Sequence, residues 1–232
     1  MGERPMLFST PLVQAIQAGR KTQTRRPVKW PKWADVERDW PALVESCALA
    51  RYVDGRPVSL MQAPALPGDL LYVRETWQIA TGREAGDLGA AIRYRDMEIQ
   101  PVTMPASKPL PLGLTWDRWR PSIHMPRWAA RIWLRVTDVR VERVKDITAS
   151  AAVAEGARFF DEGSLEPDCF GGRGSGWSMG DPRSFGETLG SARMAFANAW
   201  IALYGQEAWD ANPWVWAISF ERVEAPAREG GR

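Results

Sequence analysis

From Ile132 onward apolar and polar residues alternate with a period of two: Ile132, Leu134 and Val136 against Trp133 and Arg135, then Val139 and Val141 against Arg140 and Glu142. Successive side chains of a strand point to opposite faces, so this run predicts a long half-buried strand region over 128–144. It has company. Residues 5–8 read as a short first strand, 22–27 as a strand ended by proline, 70–75 as a strong strand after the Pro67-Gly68-Asp69 turn, 91–94 as another, and 214–223 as the last. Helix signals are fewer and mostly do not alternate with the strands. Ser9-Thr10-Pro11 opens one helix, with Leu12 and Ile16 on one face and Gly19 as its stop. Asp146 or Thr148 caps a short one ending at Gly156. Residues 191–204 read as an amphipathic helix carrying Met194, Trp200, Ile201 and Leu203 on or near its apolar side, stopped by Gly205. A further helix is expected within 35–50, interrupted at Pro41. The sum favours an α+β fold, a small mixed or antiparallel β-barrel with peripheral helices.

The 232 residues allow one large domain, or one domain with long insertions. Residues 29–66 are rich in Trp, Pro and charge, 100–122 form a Pro-rich loop, and the Gly-, Ser- and Asp-rich 157–190 reads as a long mobile insertion. The glycines at 171–176 match no phosphate-loop spacing. No apolar run reaches the roughly 18 residues that span a bilayer. Met1 to Pro5 lack the apolar core of a signal peptide, so a cytoplasmic protein is expected. Cys47 and Cys169 lie far apart, and His124 is the only histidine. A Cys/His zinc site is therefore disfavoured, and hydrolytic chemistry is expected to run with no metal, no cofactor and no Ser-His pair. A net charge of +2 argues only weakly for nucleic acid. The 13 tryptophans either fill a β-rich core or, beside Arg, stack on bases.

Against that background one cluster stands out: Gly19-Arg20-Lys21-Thr22-Gln23-Thr24-Arg25-Arg26. Lysine is scarce here, at positions 21, 29, 32, 108 and 145 against 25 arginines. Lysine can lose its proton in a suitable environment, whereas arginine cannot. Strand geometry turns Thr22, Thr24 and Arg26 one way and Gln23 and Arg25 the other. Lys21, at the turn, can curl over Thr24, and burial plus the surrounding arginines would lower its pKa. A neutral amine there would activate the Thr24 hydroxyl. The competing reading is a solvated charge cluster protecting a strand edge.

Glu75, in Arg74-Glu75-Thr76-Trp77, is either a carboxylate raised by its surroundings into a general acid or base, or an exposed or Arg-paired group. His124, between Pro121 and Pro126, is a rigid-loop site residue or a structural group. Arg127-Trp128 offers a cation and an aromatic face to a base or phosphate.

These residues resemble the ASCH domain family. Gly19-x-Lys21-x-x-x-x-Arg26 matches its G-x-K-x-x-x-x-R signature. Met6 to Pro11, Pro67 to Leu70, Arg74 to Trp77, Ser122 to Pro126 and Asn212 to Trp216 resemble the longer, phage- or prophage-associated members. The resemblance implies a single PUA-like domain over 1–232 with insertions at about 30–65, 80–118 and 157–190. It also implies an amidohydrolase similar to the bacterial enzyme that cleaves N4-acetylcytidine to cytidine and acetate. In that reading Thr24 is the nucleophile, Lys21 the base or oxyanion partner, and Glu75 the proton shuttle. Arg26, Phe8, Trp77, His124 and Arg127 would contact a modified nucleoside or base. RNA binding without catalysis, or ribonuclease activity with Lys21 and Arg26 on phosphate, are the alternatives; no membrane partner is expected.

Overall fold

In the computed structural model, residues 2–29, 42–44, 48–53, 56–80, 91–96, 99–101 and 118–226 are described. In chain order they form β1 (Glu3–Leu7), α1 (Thr10–Gln17), β2 (Gln23–Pro27), β3 (Ala42–Val44), β4 (Ala48–Val53), β5 (Arg56–Gln62), β6 (Leu70–Arg74), β7 (Trp77–Ala80), β8 (Ala91–Tyr94) and β9 (Ile99–Pro101). Then follow β10 (Trp133–Arg143), α2 (Ala149–Ala154), β11 (Arg158–Phe160), β12 (Gly176–Ser178), α3 (Ala192–Tyr204), α4 (Gln206–Asp210) and β13 (Trp214–Val223). This is an α+β fold with several sheets and few helices.

The main sheet has the order β1-β6-β10-β13-β2. β1 lies parallel to β6, and the other pairs are antiparallel. The break at Thr137-Asp138 explains the alternation of β10. Its register against β13 shifts between Val136 and Asp138. One extra residue reverses side-chain parity, so Leu134 and Val136 before the bulge and Val139 after it all reach the same core. β13 is buried on both faces. Trp216, Ile218 and Phe220 join that first core, with Met6, Phe8, Val13, Ile16, Leu71 and Val73. Val215 joins a second core with Ala152 of α2 and Ala195, Phe196 and Trp200 of α3. A strand covered on both sides reads as a nearly unbroken apolar run, as this one does.

β1 and β2 end the sheet, and among the described residues no backbone pairing joins them. Side chains bridge the gap instead. Arg26 Nη2 donates to the Leu7 carbonyl at 2.5 Å, and its guanidinium lies 5.2 Å from the Phe8 ring.

The Pro-Gly-Asp turn has a structural task. The Asp69 carboxylate, 5% exposed, accepts from the N–H groups of Gly2 (2.7 Å) and Leu66 (3.1 Å) and from Arg4 Nε (2.9 Å). Burial alone would raise its pKa, but these donors outweigh that and hold the carboxyl below the usual Asp value. Its stabilising effect is therefore complete above the unfolded-state pKa and lost as pH falls through the folded one. Asp69→Asn should cost about 2–3 kcal/mol near neutrality. Urea titrations at several pH values should show that the gap between variant and wild type closes on acidification.

The structure departs from the sequence pattern in three places. Within 35–50, where a helix is expected, Ala42–Val44 and Ala48–Val53 are strands in a sheet of order β3-β4-β5, and the rest of that stretch lies outside the described residues. Pairing between strands overrides helix propensity there. Residues 157–190 are structured rather than a linker. β11 pairs with β12, isolated bridges join Glu166 to Ser184 and Trp177 to Leu189, and Trp177 packs on the second core. α3 buries Ala192, Ala195, Phe196 and Trp200, while Met194 and Leu203 are exposed. Small alanines let α3 approach α2 closely, so the stripe is set by size as well as hydropathy.

Candidate functional site

α1 ends at Gly19, whose φ of 70° suits glycine. The N–H groups of Arg20 and Lys21 then both donate to the Ala15 carbonyl, at 2.9 and 3.0 Å. The chain is thus pinned beneath the helix end as it enters β2. Lys21, Gln23, Thr24 and Arg25 are all buried, which rules out a solvated charge cluster. The register sets Thr24 opposite Ile218 and Arg26 opposite Trp216. Paired residues share a face, so both turn toward the first core and Phe8. Gln23 and Arg25, opposite Ser219 and Ala217, take the other face.

Lys21 is 2% exposed, and all three of its donors are engaged. Nζ donates to the Gln23 carbonyl (2.7 Å), the Glu155 carbonyl (2.9 Å) and Glu155 Oε2 (2.7 Å). It lies 5.9 Å from the Phe8 ring centroid. Burial pushes its pKa down from the ordinary lysine value, and Arg26 and Arg25 add to this. The Glu155 carboxylate opposes it. The expected hydrogen bond from Lys21 to Thr24 is not among its contacts. Thr24 is 3% exposed, and no described hydrogen bond engages its hydroxyl.

Glu155 is the residue that sequence reasoning missed. Its other oxygen accepts from Arg25 Nη1 at 3.0 Å, and that nitrogen also donates to Gln23 Oε1 at 2.8 Å. Arg25 Nε reaches Glu142 Oε1 at 2.7 Å, and Gln23 Nε2 donates to Ser219 Oγ at 2.9 Å. Arg25, expected to be electrostatic surroundings, is a buried connector. One signal was available. Glu155 precedes Gly156, at the end of the helix capped by Thr148, and Gly156 has φ 113°. A Cβ there would sit 3.5 Å from Ala15 Cβ and 3.7 Å from Lys21 Cβ. The turn therefore brings α2 directly against the α1–β2 corner.

Glu75 follows β6 and is 2% exposed. It takes the Arg-paired form: Arg131 Nε and Nη2 fork onto its two oxygens at 2.9 and 2.7 Å, and Nη2 also reaches Asp96 at 2.6 Å. Burial opposes the charge on Arg131, but the bond to Glu75, reinforced by Asp96, raises its pKa above the usual value. The guanidinium stacks 3.9 Å from the Tyr94 ring. The backbone just before Glu75 meets the chain at Phe8, whose N–H donates to the Arg74 carbonyl at 3.1 Å, while the Glu75 carboxylate itself is held by Arg131.

The remaining candidates separate. Trp77 packs inside a third apolar cluster, edge-on to Trp128, and not in the first core that holds Phe8. His124 lies exposed on a 3-10 turn, Ser122–His124. Arg127 forks onto Glu3 and lies 4.9 Å from the Trp133 ring, a surface pairing. The structure thus gathers Phe8, Lys21, Thr24 and Arg26, holds the Glu75 carboxylate on Arg131, and leaves Trp77, His124 and Arg127 outside. No group of three His, Cys, Asp or Glu side chains among the described residues is arranged to hold a metal, and no described helix is long and apolar enough to cross a membrane. The chain matches no protein-family model, no curated protein and no solved structure.

Proposed function

We propose that the protein is an ASCH-type hydrolase of PUA-like fold that removes the acyl group from N4-acylcytosine substrates such as N4-acetylcytidine. The observation that carries the reading is the burial of Lys21 and Thr24 together, at 2% and 3% exposure, with the Lys21 ammonium 5.9 Å from the Phe8 ring. Burying an ammonium is costly, so a chain that spends a rare lysine there has a use for it. The Arg26 and Phe8 bridge between β1 and β2 supports a barrel-like closure, which would place the substrate over the β1 and β2 ends.

The chemistry follows from the groups present. Thr24 Oγ1 adds to the acyl carbonyl carbon and gives up its proton. Lys21 serves as its base or stabilises the oxyanion, and the proton released by Thr24 is passed through Glu75 to the exocyclic nitrogen as the C–N bond breaks. Water then cleaves the acyl-threonine ester and restores the hydroxyl. Arg26 and Phe8 hold the base.

RNA binding is the second reading, and one observation favours it. On the face of β6 and β10 turned away from the first core, Arg74 lies 5.6 Å from the half-buried Tyr72 ring, Tyr72 lies 5.8 Å from the buried Trp133, and Arg127 covers Trp133. Two assays separate the readings. A panel of N4-acylcytosines, as bases and as nucleosides, should be deacylated. RNA binding, by contrast, should appear as an affinity that falls steeply with salt. Salt-sensitive RNA binding with no deacylation of any panel member would reverse the order.

A further inference from the structure

We propose that Glu155 is the positioning residue of this site: it holds Lys21 as an ammonium, which makes Lys21 the oxyanion partner and leaves the proton of Thr24 to Glu75. The proposal rests on the hydrolase reading above and decides between the two roles open to Lys21.

The number of N–H donors distinguishes the two forms of Lys21. A neutral amine has two N–H bonds and an ammonium three. Nζ touches three oxygens within 2.9 Å, and two of them, the Gln23 and Glu155 carbonyls, can only accept. The third contact, to Glu155 Oε2, leaves a single proton to place between nitrogen and oxygen. Arg25 settles it, because Nη1 donates to the other oxygen of Glu155 and favours the carboxylate. Arg25 is itself held by Glu142 of β10, so the order of charges is Lys21, Glu155, Arg25, Glu142. The charged groups facing Lys21 are Glu155 beyond α2 and Arg25 and Arg26 in β2.

An ammonium in this setting cannot take the proton of Thr24. By releasing the Gln23 or the Glu155 carbonyl, it can turn one of its three donors toward the negative charge that develops on the acyl oxygen. Balance then requires a separate base. Glu75 accepts the proton from Thr24 Oγ1 as the O–C bond forms, and passes it to the exocyclic nitrogen as the C–N bond breaks.

The test follows the Lys21 proton directly, by titrating its ¹³Cε resonance in wild type, Glu155→Gln and Glu155→Asp, alongside pH profiles of N4-acetylcytidine deacylation. Wild-type Lys21 should be fully protonated at pH 7. Glu155→Gln should lower its midpoint and move the alkaline limb of activity to lower pH, with at least a tenfold loss at pH 8. Glu155→Asp should recover most of both. A neutral Lys21 in the wild type at pH 7 overturns the proposal without any variant. So does a folded Glu155→Gln with an unmoved Lys21 midpoint, or with activity that rises at neutral pH, as a neutral-amine base would give. A wild type that fails to deacylate while Lys21 titrates as described would instead sink the hydrolase reading and leave the anchoring of Lys21 by Glu155 intact.

Discussion

Glu155→Ala should lower the unfolding free energy by about 3–5 kcal/mol, the cost of stripping the partner from a buried charge. Two cations depend on this carboxylate. Lys21 and Arg25 have side chains 1% exposed and meet opposite oxygens of Glu155 at 2.7 and 3.0 Å. Arg25 keeps Glu142 in the variant, but Lys21 retains only two carbonyls and faces Arg25 and Arg26 unopposed. The loss should appear in chemical denaturation as a lower midpoint with an unchanged slope. The exposed pair Arg140–Asp138, with side chains 49% and 45% exposed, is the internal control, and its removal should cost less than about 1 kcal/mol. Equal costs at the two sites would mean that Glu155 is not structurally central.

Lys21→Met should reduce turnover of N4-acetylcytidine by about 10²–10³-fold in kcat, the usual cost of losing an oxyanion donor. Met retains the volume of the apolar stem, and Glu155 retains Arg25, so the variant should remain folded by circular dichroism. Lys21→Arg should not restore the rate. The space between the Gln23 and Glu155 carbonyls suits a compact ammonium, and a planar guanidinium presents its donors in a different geometry. A rise in KM with kcat intact would place Lys21 in substrate binding rather than in the transition state.

Much of the frame was legible in the sequence, because it rests on local rules. The period-two pattern located β10 and β13, and the bulge at Thr137 was written in the switch from even to odd apolar positions. Thr148 and Ser191 cap their helices through bonds to Ala151 N and Met194 N, as short hydroxyl side chains do. Lys21 stood out by rarity, and Glu75 by its place after a strong strand. What the sequence hid was long-range. Glu155 is 134 residues from Lys21, and the two meet only because α2 packs against the α1–β2 corner. Arg131 likewise reaches Glu75 across 56 residues. A carboxylate at a helix end looks the same in sequence whether it faces water or a buried ammonium. The second core obscured residues 157–190 in the same way. Trp177 is an isolated apolar residue in a polar segment, and only the second core, built with α3, gives it something to cover.

The central claim is that the corner formed by Phe8, Lys21 and Thr24, with Glu75 as the proposed proton shuttle, cleaves an acyl-cytosine amide. The most direct measurement is the release of cytidine and acetate from N4-acetylcytidine by purified wild type and by Thr24→Val, which removes the nucleophile at nearly constant shape. The account predicts equimolar release by the wild type and loss of that release in the variant. No release by folded wild type, or equal rates in both proteins, would contradict it.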